Sequence, residues 1–385
     1  AILELYNENK AIDPILILEK NKNIKNDTFY EVIESVQTAA NIIEYAHMVK
    51  DKAKLRNLQD SATKIVEMTS DEEETTEDII DKSEALIFKI AENNNTRNVV
   101  SIKEIMNGEF ARLQNVYDNK ETTTGISSGF TDFDHMTNGF NPSDLVILAA
   151  RPAMGKTAFA LNLALNAAKS NKSILIFSLE MSSSQLFQRF IAMEAGIGLQ
   201  KIRTGFLSEN DWGRMGLASE TLMKTQLNIA DLPNATVMEI RTIARRMKTA
   251  GKLDMILIDY LQLIKGSSGK SENRQQEISD ISRSLKGIAR ELDVPIIALS
   301  QLSRATEQRA DRRPMLSDLR ESGAIEQDAD MVMFLYRDDY YNEETEDKGI
   351  TEVIIGKHRN GPTGTVKLRF FHELTKFADY TNKVE

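Results

Sequence analysis

The sequence predicts a doubly wound α/β fold of the P-loop NTPase type, preceded by an all-helical N-terminal domain and a linker helix. Three observations predict it. The apolar run Leu145-Val-Ile-Leu-Ala-Ala150 opens directly into Arg151-Pro152-Ala153-Met154-Gly155-Lys156-Thr157, which is a buried strand feeding a phosphate-binding loop. From Gly125 onward, short apolar runs alternate with helix-periodic segments, the pattern of a sheet covered by helices. Before about residue 95 the apolar positions recur only at three- and four-residue spacing, as at Val32, Val36, Ala39, Ala40, Ile43 and Ala46, which is helical periodicity.

Taken in order, residues 1–95 read as the helical domain. The chain starts with Ala inside an apolar-periodic stretch (Ile2, Leu3, Leu5, Tyr6), so part of this domain is expected to be missing. The acidic run Asp71-Glu-Glu-Glu74 after Thr69-Ser70 reads as an N-cap followed by an acidic first turn. Residues 96–124 form a linker. Glu92–Asn98 is polar, and Ile102, Ile105, Met106, Phe110 and Leu113 then resume the period before the polar stretch 118–124. Such a helix packs either on its own chain or on a neighbouring subunit. Residues 125–385 form the α/β core, with strands expected at 145–149, 174–179, 255–258, 295–299, 331–335, 352–356 and 365–371, and a hairpin across Asn360-Gly-Pro-Thr-Gly364.

Composition narrows the function classes. The chain has 385 residues, 41% hydrophobic and 28% charged, enough for two or three domains. It has no bilayer-length apolar run and no leader pattern, so a cytoplasmic location without membrane contact is expected. With no cysteine and four scattered histidines, a structural zinc is not expected. The net charge of −10 gives no global attraction to nucleic acid, which must therefore be met by a local patch or by the inner surface of an assembly.

The loop departs from the P-loop pattern only at its first position, where Ala150 replaces glycine. Backbone amides at the start of the following helix would cradle the phosphates of ATP, Lys156 would reach the β and γ phosphates, and the Thr157 hydroxyl would hold Mg²⁺. Met255-Ile-Leu-Ile-Asp259 ends a strand on a carboxylate suited to the same cation. Its neighbour is Tyr260, so the residue that orients the attacking water must lie elsewhere. Glu180, after Ile174–Leu179, is the candidate, with a helix-capping role as its alternative. Gln301 ends the next strand, either as a γ-phosphate sensor or as a loop cap. The polar stretch from Gln301 to Asp330 contains Arg304, Arg309, Arg312, Arg313 and Arg320, a long segment within a compact core and a candidate basic surface. Gly266–Asn273 is rich in Gly and Ser and reads as a flexible loop or an inert linker.

These motifs, in this order, resemble the bacterial and phage replicative DNA helicases of the DnaB type. The resemblance rests on Gly125–Asp134, Ala149–Thr157, Phe177-Ser-Leu-Glu-Met181, Ile258-Asp-Tyr-Leu-Gln-Leu-Ile264, Asp318–Asp330 and Lys357-His-Arg-Asn-Gly-Pro-Thr-Gly364. Alanine is usual in that family at the position of Ala150. The resemblance implies a RecA-like core, a homo-hexameric ring with ATP sites between subunits, and 5′–3′ movement on single-stranded DNA at a fork. It implies that Arg359 is an arginine finger and Lys357 its companion, both reaching a neighbour's γ-phosphate. It also places Arg320, Glu321 and Gly323 on a DNA-contacting loop, makes Gly266–Asn273 the other channel loop, and brings a primase and a helicase loader as partners. A strand-exchange recombinase and a non-catalytic ATP-binding scaffold are the competing readings. The helical domain and linker count against the first, and intact Lys156, Glu180 and Asp259 against the second.

Overall fold

Local sequence signals start several elements: Ser182, Ser208 and Thr236 each begin a helix with a reciprocal capping box. The computed structural model describes residues 13–20, 29–31, 42–70, scattered positions between 76 and 114, and 123–380 apart from 266–273, 304, 305, 308, 310 and 343. The chain divides into two compact units, residues 1–110 and 111–385. Every described element of the first is helical: α1 (Pro14–Lys20), α2 (Ile42–Met68) and isolated helical positions such as Ile102, Met106 and Phe110. The Thr69 hydroxyl donates to the Val66 carbonyl at 2.7 Å and so closes α2. The acidic run 71–74 lies outside the described residues.

The second unit is built on nine strands. It contains, in order, α3 (Thr131–Thr137), β1 (Leu145–Ala150), α4 (Lys156–Lys169), β2 (Ser173–Ser178), α5 (Ser183–Ala195), α6 (Leu199–Thr204), α7 (Glu209–Met223), β3 (Gln226–Asp231), α8 (Val237–Thr249), β4 (Met255–Asp259), α9 (Arg274–Leu292), β5 (Ile296–Gln301), α10 (Gly323–Asp328), β6 (Met331–Tyr336), β7 (Ile350–His358), β8 (Gly364–Phe371) and β9 (Lys376–Asp379). A 3₁₀ run, Leu316–Ser322, leads into α10.

The sheet order is β3-β2-β4-β5-β1-β6-β7-β8-β9. The first six strands are parallel and the last three antiparallel. Strand β1 is buried at every position because helices cover both faces. Val146, Leu148 and Ala150 join one core with Phe159, Phe370 and Phe377, while Leu145, Ile147 and Ala149 join the other with Ile240, Ile281 and Leu285. The hairpin across Asn360–Gly364 is present as β7–β8. Strands β3 and β9 were not expected. The first is an edge strand, Gln-Leu-Asn-Ile-Ala-Asp, whose burial only partly alternates. The second has four residues, below the length at which alternation can be read.

Candidate active site

Strand register sets the site. Ala150 at the end of β1 pairs with Gln301 at the end of β5, and Ser178 at the end of β2 pairs with Asp259 at the end of β4. The phosphate loop, Gln301, Asp259 and Glu180 therefore emerge at the same edge of a parallel sheet, where the topology leaves a crevice. A cavity of about 1040 Å³ occupies it, walled by the loop, Glu180, Arg189, Tyr260, Gln301 and the turn His372–Thr375.

Gly155 is the N-cap of α4 with φ of 92°, and no side chain caps the helix or places an acid in its first turn. The first amides and the positive end of the helix dipole thus face the cleft with no acid of the helix's own first turn among them, the arrangement that receives phosphate. The left-handed backbone conformation calls for glycine, and a Cβ at Gly155 would stand 3.3 Å from Phe377 and 3.4 Å from Phe370, a tight fit against the hairpin behind it.

The charged groups of the cleft are coupled. Burial pulls the Lys156 ammonium below its usual range, while Asp259 and Glu180 hold it up. Burial raises the Asp259 carboxyl, against Lys156 and a hydrogen bond from the Thr157 hydroxyl. Lys156 also sits 4.9 Å from the centroid of the Tyr260 ring, a cation–π contact that orients the amine. One Asp259 carboxylate oxygen, Oδ1, is buried with no hydrogen-bond partner. A buried orphan acceptor beside a threonine hydroxyl fits a hard cation that takes most of its other ligands from substrate phosphates and water. Among the described residues no group of three or more acidic or histidine side chains could hold a metal by itself.

Several parts of the site went unread in the sequence, among them the stretch Gly196–Arg203, Arg189 and the turn His372–Thr375. Arg189 on α5 lines the cleft and interacts with Asp259 and Glu180, and burial pulls its guanidinium down. Its signal was an arginine one turn from buried Leu186 and beside buried Phe190. The turn His372–Thr375 gave no signal, because it joins the cleft only once β9 returns the chain to α4. There Asn162 donates to the Thr375 carbonyl at 2.9 Å and accepts from the Phe377 amide at 3.1 Å.

The remaining expected residues lie as follows. Arg151 lines the cleft and donates to Glu307 (2.8 and 2.9 Å) and to the Leu302 carbonyl (2.9 Å). Lys357 and Arg359 do not line this chain's own cleft. They reach the C-terminal carbonyls of α10: Lys357 donates to Ala329 at 2.8 Å, and Arg359 donates to the Gln327 carbonyl and to Asp330, the latter at 3.3 Å. Arg320, Glu321 and Ser322 fall in the 3₁₀ run and Gly323 opens α10. Three described arginines of the polar stretch have partners within the chain. Arg309 pairs with Asp318 at 2.8 Å, Arg313 forks onto Glu352, and Arg312 stacks 5.0 Å from the Tyr341 ring. Arg304 and the Gly266–Asn273 loop lie outside the described residues.

The comparisons with known proteins agree with this geometry. The family model of the DnaB-like helicase C terminal domain matches residues 125–379. The chain belongs to the DnaB-like replicative helicases. It is 50% identical to the replicative DNA helicase DnaC of Bacillus subtilis over 92% of this chain and 78% of that protein. It is 48% identical to the replicative DNA helicase DnaB of Geobacillus stearothermophilus over the same shares. Among solved structures, one described as an ATPase domain superposes with a TM-score of 0.70 at 45% identity, covering 74% of this chain and all of that one. A DnaB-like replicative helicase described with its primase interactions gives 0.74 at 37% identity, covering 98% and 90%. The core is thus the RecA-like domain of a nucleotide-driven DNA helicase of the replicative class, and the recombinase reading is not favoured. Among the described residues no helix is long and apolar enough to cross a membrane.

Proposed function

We propose that this DnaB-like chain works as a homo-hexameric ring that hydrolyses ATP with Mg²⁺ between subunits, moves 5′–3′ on single-stranded DNA and unwinds the duplex at a fork. The observation that carries this reading is the meeting of Lys156, Thr157, Glu180, Asp259 and Gln301 at one sheet edge, around an orphan carboxylate oxygen. In this reading residues 1–95 are the helical domain, 96–124 the linker and 125–385 the motor. The partners are a primase, a helicase loader and forked DNA, met in the cytoplasm.

Each residue has a role set by its chemistry. The loop from Arg151 to Thr157 wraps the triphosphate, with the amides of Gly155, Lys156 and Thr157 directed at the phosphates. Lys156 neutralises the β and γ phosphates. Thr157 and Asp259 would hold Mg²⁺, which would supply charge neutralisation for the phosphates. Glu180 accepts a proton from, and orients, the attacking water, and Gln301 senses the γ-phosphate. Arg359, with Lys357, completes the neighbour's site. A finger supplied in trans stabilises transition-state charge and accounts for roughly 10³ to 10⁵ in rate. Arg320, Glu321 and the Gly323 amide meet the DNA strand through its backbone, which carries no sequence information.

The test is strand separation on a forked duplex with a free 5′ tail, comparing the unaltered chain with Lys156→Ala and Arg359→Ala. Both variants are expected to lose unwinding, and Arg359→Ala is expected still to bind nucleotide and form rings. Robust unwinding by Arg359→Ala would remove the trans site.

A further inference from the structure

The contacts made by Lys357 and Arg359 differ in kind from those of solvated strand charges. Both side chains close over the C-terminal end of α10, where backbone carbonyls lack helical partners and the helix dipole favours cations. Lys357 takes the carbonyls of Glu326 and Ala329, and Arg359 takes that of Gln327. The next residue along, Asp330, is buried to 5% exposure and holds Arg359 twice: its backbone carbonyl accepts the Arg359 amide at 2.8 Å, and its carboxylate pairs with the guanidinium. The same carboxylate accepts the Leu145 amide at 2.8 Å and pairs with Lys286, which also donates to the Ser143 carbonyl at 2.7 Å. Asp144 faces this group as a second acid.

We propose that Asp330 is a positioning residue that parks Arg359 against the end of α10, so that movement of the segment leading into α10 frees the arginine for the neighbouring site. Helix α10 has six residues, about 9 Å at the α-helical rise. Its first residue follows directly on the 3₁₀ run Leu316–Ser322. Movement of that run by a DNA strand therefore shifts the carbonyls that hold Lys357 and Arg359. The Arg359 side chain is 47% exposed, so the pair with Asp330 is weak enough to yield to a triphosphate. Asp330 touches neither nucleotide nor DNA and acts through Arg359. The inference rests on the proposed trans role of Arg359.

Mixed rings separate the two ideas. Chains carrying Lys156→Ala cannot use their own site but can lend Arg359, while chains carrying Arg359→Ala can use their site only if an arginine is lent to them. An equal mixture is expected to hydrolyse ATP without DNA above either chain alone; if it does not, the trans role falls and the proposal with it. Adding Asp330→Asn to the Lys156→Ala chain leaves an acceptor for the Leu145 amide and removes the negative charge that pairs with Arg359. DNA-free hydrolysis is then expected to rise about two- to fivefold, the range of a half-exposed ion pair, with KM for ATP unchanged. The ratio of DNA-bound to DNA-free rate should fall to match.

Lys286→Met in the same background leaves Arg359 as the remaining side-chain cation paired with Asp330 among the described contacts, and is expected to lower the DNA-free rate about twofold. A merely structural role would move both variants in one direction. An active control mixture in which Asp330→Asn leaves the DNA-free rate unchanged or lower overturns the parking role. If Asp330→Asn does not fold, the sign of the Lys286→Met effect decides the same question.

Discussion

Two residues show how strongly single positions are constrained. Gly155 has φ of 92°, and a Cβ there would stand 3.3 and 3.4 Å from two phenyl rings. Gly155→Ala is expected to weaken nucleotide binding about tenfold and to cost roughly 1–3 kcal/mol of stability, read by fluorescent-nucleotide titration and a thermal melt. Asp144 gives a pH prediction. Burial, and then Asp330, push its carboxyl up to about 6, while Lys286 draws it down. The folded state therefore binds a proton more tightly than the unfolded chain, whose Asp titrates near 3.9. The stability this adds is complete below about pH 4 and is lost as the pH rises through about 6. Asp144→Asn should raise the melting temperature above pH 6, leave it nearly unchanged at pH 4, and flatten the slope between, a difference of about 3 kcal/mol at most. Melts at half-unit pH steps would show it, and equal shifts at pH 4 and pH 8 would exclude it.

At the scale of elements, the β8–β9 hairpin supports the back of the phosphate loop. Phe377 stacks on Phe370 at 4.4 Å and meets Phe159 of α4 edge-on at 5.2 Å. Phe377→Ala is expected to cost about 3–5 kcal/mol and to loosen nucleotide binding beyond the loss of fold, measured by denaturant midpoint and by affinity under native conditions. This hairpin also marks where sequence reading ends. The strand Leu145–Ala150 was legible because burial on both faces leaves a continuous apolar run. Asp259 and Glu180 were legible because each closes such a run. Strand β3 was hidden because an exposed edge tolerates Gln, Asn and Asp. Strand β9 and the turn before it were hidden because their place in the cleft depends on Asn162, adjacent in space but far away in sequence. Arg189 was hidden because nothing local distinguishes a cleft-facing arginine from a solvated one on an amphipathic helix. Arg309 and Arg313 were misleading for the opposite reason. Composition shows their charge but not the carboxylates of Asp318 and Glu352 that neutralise it.

For the whole molecule, the finger candidates and the phosphate loop of one chain do not meet. With Arg359 acting in trans as proposed, hydrolysis should depend on assembly into the proposed ring. Specific activity is expected to fall steeply when the protein is diluted below the concentration at which rings persist, with nucleotide affinity per chain much less affected. Parallel dilution series of turnover and equilibrium binding would test this, and a specific activity constant across ring dissociation would contradict it. The net charge of −10 adds that DNA is held by a few local contacts, so affinity should fall with salt with a shallow slope.

The cleft wall made by His372–Thr375 carries a consequence for biosynthesis. Strand β1 sits between β5 and β6, and the cleft closes only when β9 lies on β8 behind Gly155. A ribosome that has already released Thr157 must still make everything through Phe377 before that wall exists. Nucleotide then serves as a ligand that rewards completion: it binds the finished motor, favours it by mass action, and leaves the growing chain without a premature, half-built ATPase.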